Sequence, residues 1–232
     1  MVNFNDFLDN QEAINEGVYD KNIFKAFFLA GGPGSGKSWV SARTLMGQGM
    51  KVINSDDGFE RYAKNAGLNL KKMGSFTAAQ TKKKDALRSR AKVGTAYMHQ
   101  HAIDGRLGMI LDSTARDTAR IESEAQSMRY LGYDTYMVFV NTTLEVALKR
   151  NELRPRSVPE PIVINSHRQI QKNIPKLRAI FGSKNFVEVD NSVEAEDVNI
   201  KVYKEIQKLV RSKPSSPMAQ AWINNELAKK RR

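Results

Sequence analysis

A glycine-rich run directly after an apolar segment is the feature that most constrains this 232-residue chain. The run, residues 31–38, reads Gly-Gly-Pro-Gly-Ser-Gly-Lys-Ser and matches the pattern G-x-x-x-x-G-K-[ST]. Glycines let successive backbone N–H groups turn inward around an anion, a conformation that most side chains would obstruct. A helix that starts at Lys37 adds the positive end of its dipole at the same point. The run therefore predicts a loop that wraps phosphates between a strand and a helix.

The residues of this loop are predicted to hold a nucleoside triphosphate, with ATP as the default and Mg²⁺ as its companion ion. Lys37 is predicted to reach the β- and γ-phosphates, and the Ser38 hydroxyl to hold Mg²⁺. Four residues are predicted to face the phosphates with their backbone: Gly32, Gly34, Ser35 and Gly36. The alternative is a glycine-rich turn that binds nothing.

Short apolar runs alternate with helical patterns along the chain, as expected for strands joined by crossover helices. Five runs are predicted to be strands: residues 23–30, 51–54, 108–112, 134–140 and 185–190. Because the runs are apolar, they predict a sheet that is buried on both faces by helices. The predicted fold class is therefore α/β.

Three segments depart from this regular alternation. The stretch from Asp56 to Arg106 is too long for one crossover helix, so residues 57–106 are predicted to form a helical substrate-binding insertion beside the nucleotide. Residues 154–161 contain three prolines and are predicted to form a mobile lid. Residues 1–212 are then predicted to form one domain. Residues 213–232 are predicted to form a Pro/Ser linker followed by a basic amphipathic helix.

The formal net charge of +12 favours a polyanionic partner. Between residues 71 and 92 the chain carries eight lysines and arginines against one acid, Asp85. A solvated helix face normally mixes both signs, so this stretch predicts a surface for phosphates that includes Lys82, Lys83 and Lys84. A basic but ordinary protein surface is the alternative.

Composition also excludes several classes of protein. Cysteine is absent, which excludes disulfides and cysteine-ligated metals. No run approaches the roughly 20 apolar residues that a membrane span needs, and the acidic N-terminus does not resemble a signal peptide. We therefore expect a cytoplasmic protein, in the host cytoplasm if the gene is viral, with no membrane partner. The sequence leaves the oligomeric state open.

A pair of carboxylates follows the second predicted strand. Residues 51–54 run into Ser55, Asp56 and Asp57, across the expected cleft from Lys37. A carboxylate there can take the proton of an acceptor hydroxyl in phosphoryl transfer. Asp56 is the predicted base, and Asp57, on the substrate side, is the second candidate. Capping of the next helix by Ser55 or Asp56 is the alternative.

The third predicted strand ends in a polar turn. Asp112 follows its apolar residues and is predicted to support Mg²⁺. Ser113, Thr114 and Arg116 then face the same cleft and could bind groups of the acceptor. Capping of the following helix by Asp112, Ser113 or Thr114 is an equal rival.

Three arginines lie close together near the predicted lid. Arg150 and Arg154 share one helix face, and Arg156 lies just beyond. Arginines at the hinge of a mobile loop can close over a γ-phosphate and neutralise the charge of its transition state. Favourable placement of cations at a helix C-terminus is the alternative.

Taken together, these features resemble the group of P-loop kinases that contains zeta toxins and the kinase domain of bacteriophage polynucleotide kinase. The resemblance covers residues 24–190 and implies a three-layer sandwich with a five-stranded parallel sheet in the order 2-3-1-4-5. The segment 54–57 is similar to the polynucleotide kinase segment that carries the base, at Asp56. Arg154 matches the lid arginine that contacts ATP phosphates. By the same analogy, Asn191 flanks the adenine.

The sequence also departs from both relatives. Polynucleotide kinases of this group carry an arginine three residues after the base, where this chain has Phe59; Arg61, two residues further, is predicted to bind substrate. Zeta toxins that phosphorylate a nucleotide sugar carry a glutamate where this chain has Asp112. Neither acceptor therefore transfers from the resemblance alone.

These observations favour an ATP-dependent kinase that phosphorylates a hydroxyl of a nucleic acid, either DNA or RNA. The first alternative is a small-molecule kinase acting on a nucleotide sugar, nucleoside or nucleotide. The second is a nucleic-acid-stimulated ATPase that transfers nothing. The chain lacks the Asn-Lys-x-Asp guanine motif, which argues against a common GTPase.

Overall fold

A computed structural model of the chain describes residues 18–45, 48–153, 158–193 and 196–230. Its strands are β1 (Lys25–Ala30), β2 (Lys51–Ile53), β3 (Met109–Asp112), β4 (Asp134–Asn141) and β5 (Phe186–Asp190). Its α-helices are α1 (Lys37–Thr44), α2 (Ser55–Asn65), α3 (Ala78–Asp104), α4 (Thr118–Tyr130), α5 (Leu144–Glu152), α6 (Glu160–Phe181), α7 (Glu196–Arg211) and α8 (Pro217–Lys230). Short 3₁₀ segments lie at Leu70–Ser75 and Ser183–Asn185. Within these ranges, no helix is both long enough and apolar enough to cross a membrane.

The strands form one parallel sheet in the order β2-β3-β1-β4-β5, which confirms the prediction. β1 lies in the middle, with β3 on one side and β4 on the other. The strand order therefore changes direction beside β1, which is where ligands bind in sheets of this kind. Leu29 pairs with Asp112 in register, so the loops after β1 and β3 leave the sheet side by side.

Alternate side chains of the central strands enter two separate cores. Phe28 of β1 and Met137 of β4 pack with residues of α4, α6 and α8 on one face. Phe27 and Val138 pack with residues of α1 and α7 on the other face. Full burial of each such side chain stabilises the fold by about 1.5–3 kcal/mol. Both faces of the sheet are thus covered, and the predicted three layers are confirmed.

The insertion between β2 and β3 consists of α2, a 3₁₀ segment and α3, which matches the predicted two or three helices. It has a small core of its own, formed by Phe59, Ala63, Leu68 and Ala91. Further along α3, Ala102 packs into the main core. The insertion is therefore anchored to the sheet at the end of α3, and α2 emerges directly from the end of β2.

The predicted lid overlaps a helix at its end. Residues 154–157, which include Arg154 and Arg156, lie outside the described residues. Glu160 and Pro161 belong to the first turn of α6 instead of to a loop. Proline is tolerated there because the N–H group that it lacks would have no partner within the helix. A helix, α8, begins at Pro217, at the end of the predicted linker.

A buried lysine joins the sheet to the C-terminal segment. Lys25 Nζ is fully buried and lies 2.7 Å from Asp134 Oδ2. It also donates hydrogen bonds to Tyr136 Oη at 3.3 Å and to Ser212 Oγ at 3.0 Å. Burial lowers the pKa of Lys25 against the opposing effect of Asp134, and burial raises the pKa of Tyr136 to about 12. Because the Ser215 backbone also donates to Asp134, this ion pair anchors the linker before α8.

Replacing Lys25 with methionine should destabilise the protein by about 3–5 kcal/mol, because Asp134 would lose its counter-charge in a mostly buried position. Chemical denaturation of the wild type and the variant measures this loss. Lys176 provides the control, since it pairs with Glu122 at 3.9 Å on the surface. The Lys176→Met change should cost less than about 1 kcal/mol. Equal losses in the two variants would contradict the role assigned to Lys25.

Candidate active site

The glycine-rich loop leaves β1 at the carboxyl edge of the sheet, between the ends of β3 and β4. β1 ends at Ala30 and α1 begins at Lys37, as predicted. Ser35 is buried within the loop, and its backbone N–H donates to Gly32 O at 3.2 Å. The first N–H groups of α1 have no partner within the helix. A helix N-terminus and a glycine-rich loop thus meet at one point, which is an arrangement suited to binding an anion.

Two glycines of the loop have conformations that other residues would strain. Gly34 has a φ of 78°, and Gly36, the N-cap of α1, has a φ of 83°. A Cβ atom at Gly34 would collide with the carbonyl of Ala147 in α5. A Cβ atom at Gly36 would collide with the side-chain amide of Asn191. Close packing of the loop against its neighbours therefore requires these glycines.

Asn191 and Arg150 brace the loop. The buried side-chain amide of Asn191 donates to Ser35 O at 2.7 Å. Arg150 Nη1 in turn donates to the Asn191 carbonyl at 2.7 Å. The sequence predicts that both residues contact the nucleotide, and in the structure both make hydrogen bonds to backbone carbonyls at the loop. Arg150 thus makes a specific hydrogen bond in addition to placing a positive charge near the C-terminus of α5.

Lys37 and Asp112 face each other across the ends of β1 and β3. Lys37 Nζ donates to Gly31 O at 3.0 Å and lies 3.9 Å from Asp112 Oδ1. Burial raises the pKa of the Asp112 carboxyl, and the nearby Lys37 opposes that rise. The negative charges of Asp56 and Asp57 raise the pKa of Asp112 further. A cation is therefore favourable at this edge of the sheet.

Asn54 links the ends of β2 and β3. Its Oδ1 accepts a hydrogen bond from the Asp56 backbone N–H at 2.8 Å, which makes Asn54 the N-cap of α2. Its Nδ2 donates to Asp112 Oδ2 at 3.1 Å. The alternative of a cap by Ser55 or Asp56 is therefore wrong. Asp56 and Asp57 are both exposed in the first turn of α2, with their carboxylates not used as caps.

Arg88 of α3 reaches Asp56 from within the insertion. Its Nη1 lies 2.7 Å from Asp56 Oδ1, and its guanidinium lies 5.0 Å from the centre of the Phe59 ring. Its side chain is 35% exposed, against 55% for Asp56. Sequence reasoning did not single out this residue for the site, because one arginine in a long basic helix gives no signal of a partner on another helix. The contact depends on how α2 and α3 pack.

The turn after β3 does not cap the next helix. α4 begins at Thr118 and is capped by Asp117, whose Oδ1 accepts from the Arg120 backbone at 3.0 Å. Capping by Asp112, Ser113 or Thr114 is therefore wrong. These three residues come before the cap, at the carboxyl edge of the sheet.

Asn173 of α6 holds this turn in place. Its side-chain amide donates to Ala115 O at 3.0 Å and to Arg116 O at 2.9 Å. Ser113 Oγ is buried and has no hydrogen-bond partner among the described residues. Thr114 and the Arg116 side chain are exposed, so both are accessible to a ligand.

The predicted basic residues of the insertion are partly engaged within it. Lys83 Nζ donates to Ala66 O at 2.9 Å, just after the end of α2. Lys84 pairs with Asp85 at 3.0 Å, and Lys82 is exposed. Arg61 is exposed on α2, with its guanidinium 5.7 Å from the ring centre of its neighbour Tyr62.

Asn151 joins the described residues on either side of positions 154–157. It is buried at the end of α5, where its Nδ2 donates to Val158 O at 2.7 Å and its Oδ1 accepts from Val158 N at 2.9 Å. This pairing holds together the two sides of residues 154–157. Arg154, the predicted lid arginine, lies outside the described residues. The sequence offers no signal for Asn151, because its partner is the backbone of Val158, seven residues further along the chain.

The side chains at this edge suit a nucleotide that carries Mg²⁺. Buried oxygens without a hydrogen-bond partner in the described part of the chain are Ser35 Oγ, Asp112 Oδ1 and Ser113 Oγ. Mg²⁺ prefers oxygen ligands and is usually bound by one or two carboxylates together with substrate phosphates. Asp112 and the Ser38 hydroxyl, in the first turn of α1, are the donors that fit.

Replacing Asn191 with alanine should weaken nucleotide binding, because the loop loses a buried hydrogen bond. The Kd should rise roughly tenfold for ATP and for GTP alike, since the bond shapes the phosphate site and not the base site. Isothermal titration calorimetry measures both values. Asn173→Ala, which removes the amide that holds the turn after β3, is the control and should change either Kd by less than about threefold. A loss confined to ATP would support contact with adenine instead.

Comparisons with known proteins agree with this arrangement. The model of the zeta toxin family matches residues 15–213. Comparison with curated protein sequences gave no match.

Solved structures share the fold. A chain from the PezAT chromosomal toxin–antitoxin system of the human pathogen Streptococcus pneumoniae has a TM-score of 0.52 and 16% identity, covering 89% of this chain and 92% of that one. A chain of the AvrRxo1-ORF1:AvrRxo1-ORF2 complex with sulphate ions has a TM-score of 0.55 and 15% identity, covering 86% of this chain and 71% of that one. A chain of the AvrRxo1-ORF1:-ORF2 complex with ATP has a TM-score of 0.50 and 16% identity, covering 88% of this chain and 70% of that one. Since the family model spans most of the sequence and the fold is that of a P-loop kinase, the chain belongs to the zeta toxin family.

Proposed function

We propose that this chain is an ATP-dependent kinase that transfers the γ-phosphate to a hydroxyl of a nucleic acid, as a polynucleotide 5′-hydroxyl kinase does. The observation that carries the proposal is the approach of Lys37 to Asp112, 3.9 Å apart, beside Asn54, which hydrogen-bonds both Asp112 and the backbone of Asp56. A phosphate-binding loop with a carboxylate nearby is what phosphoryl transfer to a hydroxyl requires. Zeta toxin family membership and a P-loop kinase fold support the same class of reaction.

Asp56 is the proposed base. Its carboxylate accepts the proton of the acceptor hydroxyl while that oxygen forms a bond to the γ-phosphorus. The bond from the γ-phosphorus to the β,γ-bridging oxygen breaks, and ADP leaves with the bonding electrons. Asp56 then releases the proton to solvent, so the products are a phosphomonoester, ADP and a proton. Asp57 is the second candidate for this role.

Cations on the other side of the reacting group offset its charge. Lys37 binds the β- and γ-phosphates, and Arg154 is the proposed cation of the lid. Ser38 and Asp112 are the proposed ligands of Mg²⁺, which when bound neutralises charge on the same phosphates. Asn191 and Arg150 keep the loop in the conformation that makes these contacts.

Nucleic acid is the proposed acceptor because basic residues concentrate on the insertion next to Asp56. Arg88 of α3 contacts Asp56, and Lys82, Lys83 and Lys84 lie earlier on the same helix. A polynucleotide whose end lies at Asp56 would present further phosphates to this helix, and contacts with phosphates dominate nucleic-acid affinity.

A small-molecule kinase is the second candidate, and one observation favours it. Lys83 donates to the Ala66 carbonyl and Lys84 pairs with Asp85 within the insertion, so fewer of their N–H donors are available to a long polyanion. A nucleotide sugar, nucleoside or nucleotide would need fewer cations than a strand. A nucleic-acid-stimulated ATPase without transfer is the third candidate.

Transfer of labelled γ-phosphate from ATP separates the three candidates. The acceptors are 5′-hydroxyl DNA, 5′-hydroxyl RNA, hydroxymethylated DNA, nucleotides and nucleotide sugars. Labelled oligonucleotide supports the proposal, and label only in a metabolite supports the second candidate. Hydrolysis stimulated by nucleic acid without any labelled acceptor supports the third. Lys37→Ala is the control for all arms, since it removes the phosphate-binding cation and should abolish transfer.

In the same assay, Asp56→Asn should lower kcat by about 10²- to 10⁴-fold, because the amide cannot accept the hydroxyl proton. ATP affinity should stay nearly unchanged, since the group acts on the acceptor. Asp57→Asn is the comparison variant, one residue along the same helix turn and also exposed to solvent. An inactive Asp57→Asn enzyme beside an active Asp56→Asn enzyme would show that Asp57 is the base.

Neutralising Lys82, Lys83 and Lys84 together by glutamine should raise the KM for an oligonucleotide and flatten its dependence on salt. Each lost phosphate contact reduces the slope of log affinity against log salt concentration by about 0.7–0.9. Because Lys83 and Lys84 are engaged within the insertion, we expect the slope to fall by about one contact instead of three. An unchanged slope would make the cluster an ordinary solvated surface.

A further inference from the structure

We propose that Asn54 is a positioning residue for phosphoryl transfer. One end of its side-chain amide orients the carboxylate of Asp112 toward the cation site, and the other end holds the helix turn that carries Asp56. This role rests on the proposed function, because it takes Asp112 as a Mg²⁺ ligand and Asp56 as the base. It deepens that function by naming the uncharged side chain that joins the two carboxylates into one site.

Strand pairing brings Asn54 to Asp112. Ile53 of β2 pairs with Leu111 of β3, so the next residue of each strand leaves the sheet beside the other. Asn54 still has extended backbone angles, with φ −141° and ψ 124°, and α2 begins at the following residue. Its side chain therefore lies between the end of β3 and the first turn of α2, within hydrogen-bond distance of both.

Only one orientation of the Asn54 amide satisfies both neighbours. The backbone N–H of Asp56 is a donor, so it requires the amide oxygen, which it meets at 2.8 Å. An ionised carboxylate only accepts, so Asp112 requires the amide NH₂ group, which it meets at 3.1 Å. Turning the amide over would place two donors together at Asp56 and two oxygens together at Asp112. The two contacts thus fix the same orientation of the amide.

The two oxygens of Asp112 have different surroundings because of this contact. Oδ2 accepts the hydrogen bond from Asn54. Oδ1 is buried, lies 3.9 Å from Lys37 Nζ and has no hydrogen-bond partner in the described part of the chain. The amide therefore limits rotation of the carboxylate and leaves Oδ1 on the side of the phosphate loop. Hydrogen-bonded partners of this kind orient carboxylates that bind metals.

Helix capping alone does not account for an amide at this position. The caps of α3, α4 and α5 are hydroxyl or carboxylate side chains, those of Thr77, Asp117 and Thr143. Serine, threonine and aspartate can all accept the hydrogen bond that a cap requires. An amide also donates, and it is the donor end of Asn54 that contacts Asp112. Because the amide is neutral, it leaves the negative charge of Asp112 available to a cation.

Asn54→Ser separates positioning from capping, because serine caps a helix about as well as asparagine but one hydroxyl cannot occupy both ends of the amide. The probe is Mn²⁺ in the presence of ADP, with binding measured by electron paramagnetic resonance. The Kd of Mn²⁺ should rise about tenfold or more, as expected when a partner of a ligating carboxylate is lost. The Kd of ADP without a divalent cation should change by less than about threefold. The melting temperature should stay within about 2 °C of the wild type, since the cap is kept.

Asp117→Ser is the control, because it exchanges one cap for another at the exposed start of α4. Asp117 Oδ1 accepts from the Arg120 backbone N–H at 3.0 Å, a contact that serine can replace. This variant should change the Kd of Mn²⁺ by less than about threefold. Wild-type affinity for Mn²⁺ in Asn54→Ser would make Asn54 a helix cap only and would overturn the inference. Equal losses in the two serine variants would also overturn it.

A double variant tests whether Asn54 acts through Asp112. In an Asp112→Asn background, Asn54→Ser should raise the Kd of Mn²⁺ by less than about threefold further, because no carboxylate is left to orient. A further tenfold loss there would show that Asn54 acts elsewhere, which contradicts its assigned role. Asn54→Thr also keeps a cap and replaces Asn54→Ser in both measurements if the serine variant proves unstable.

Transfer assays on the same variants separate this inference from the proposed function. A loss of Mn²⁺ affinity in Asn54→Ser, without transfer by the wild type to any acceptor, would support the role of Asn54 and reject the kinase. Transfer by the wild type, together with unchanged Mn²⁺ affinity and unchanged kcat in Asn54→Ser, would reject the role of Asn54 and leave the kinase in place.

Discussion

Parallel pairing of the strands is the constraint on which the rest of this structure depends. Because β1, β2 and β3 run in one direction, the residues that follow them all emerge at one edge of the sheet. The phosphate loop, Asn54 and Asp112 meet there although they lie far apart in the sequence. Helices pack on both faces of the sheet, so the positions of these groups depend on both cores.

Asparagine side chains connect several of the segments that meet at this edge of the sheet. Asn54 joins the start of α2 to the carboxylate of Asp112, and Asn191 holds the phosphate loop from the far side. Asn151 joins the two sides of the lid segment, and Asn173 holds the turn after β3. An amide can donate and accept without carrying charge, so it can brace a charged site without altering the balance between Lys37 and its carboxylates.

Local features of the chain were readable from the sequence. The phosphate loop follows from a contiguous motif, and the strands follow from apolar runs whose bounds in the structure differ from the predicted ones by two residues at most. The strand order came from the family resemblance, because neither spacing nor composition encodes which strands become neighbours.

Helix caps and contacts between side chains of different helices and strands could not be predicted from the sequence. The sequence offered Ser55, Asp56 and Asp112 as helix caps, whereas Asn54 and Asp117 take those places. Small differences in where a helix starts decide which residue is the cap, and the apolar pattern does not determine them. Arg88 was counted only among the basic residues of its helix, since its contact with Asp56 depends on the packing of α2 against α3.

The central claim is that the phosphate loop and the carboxylates beside it form one site for phosphoryl transfer. A crystal structure with ADP, Mg²⁺ and a fluoroaluminate mimic of the transferred phosphoryl group tests this most directly. The account predicts that Lys37 contacts the fluoroaluminate, and that the oxygen in line with ADP on its far side is hydrogen-bonded to Asp56. An in-line oxygen bound by neither Asp56 nor Asp57 would contradict the account.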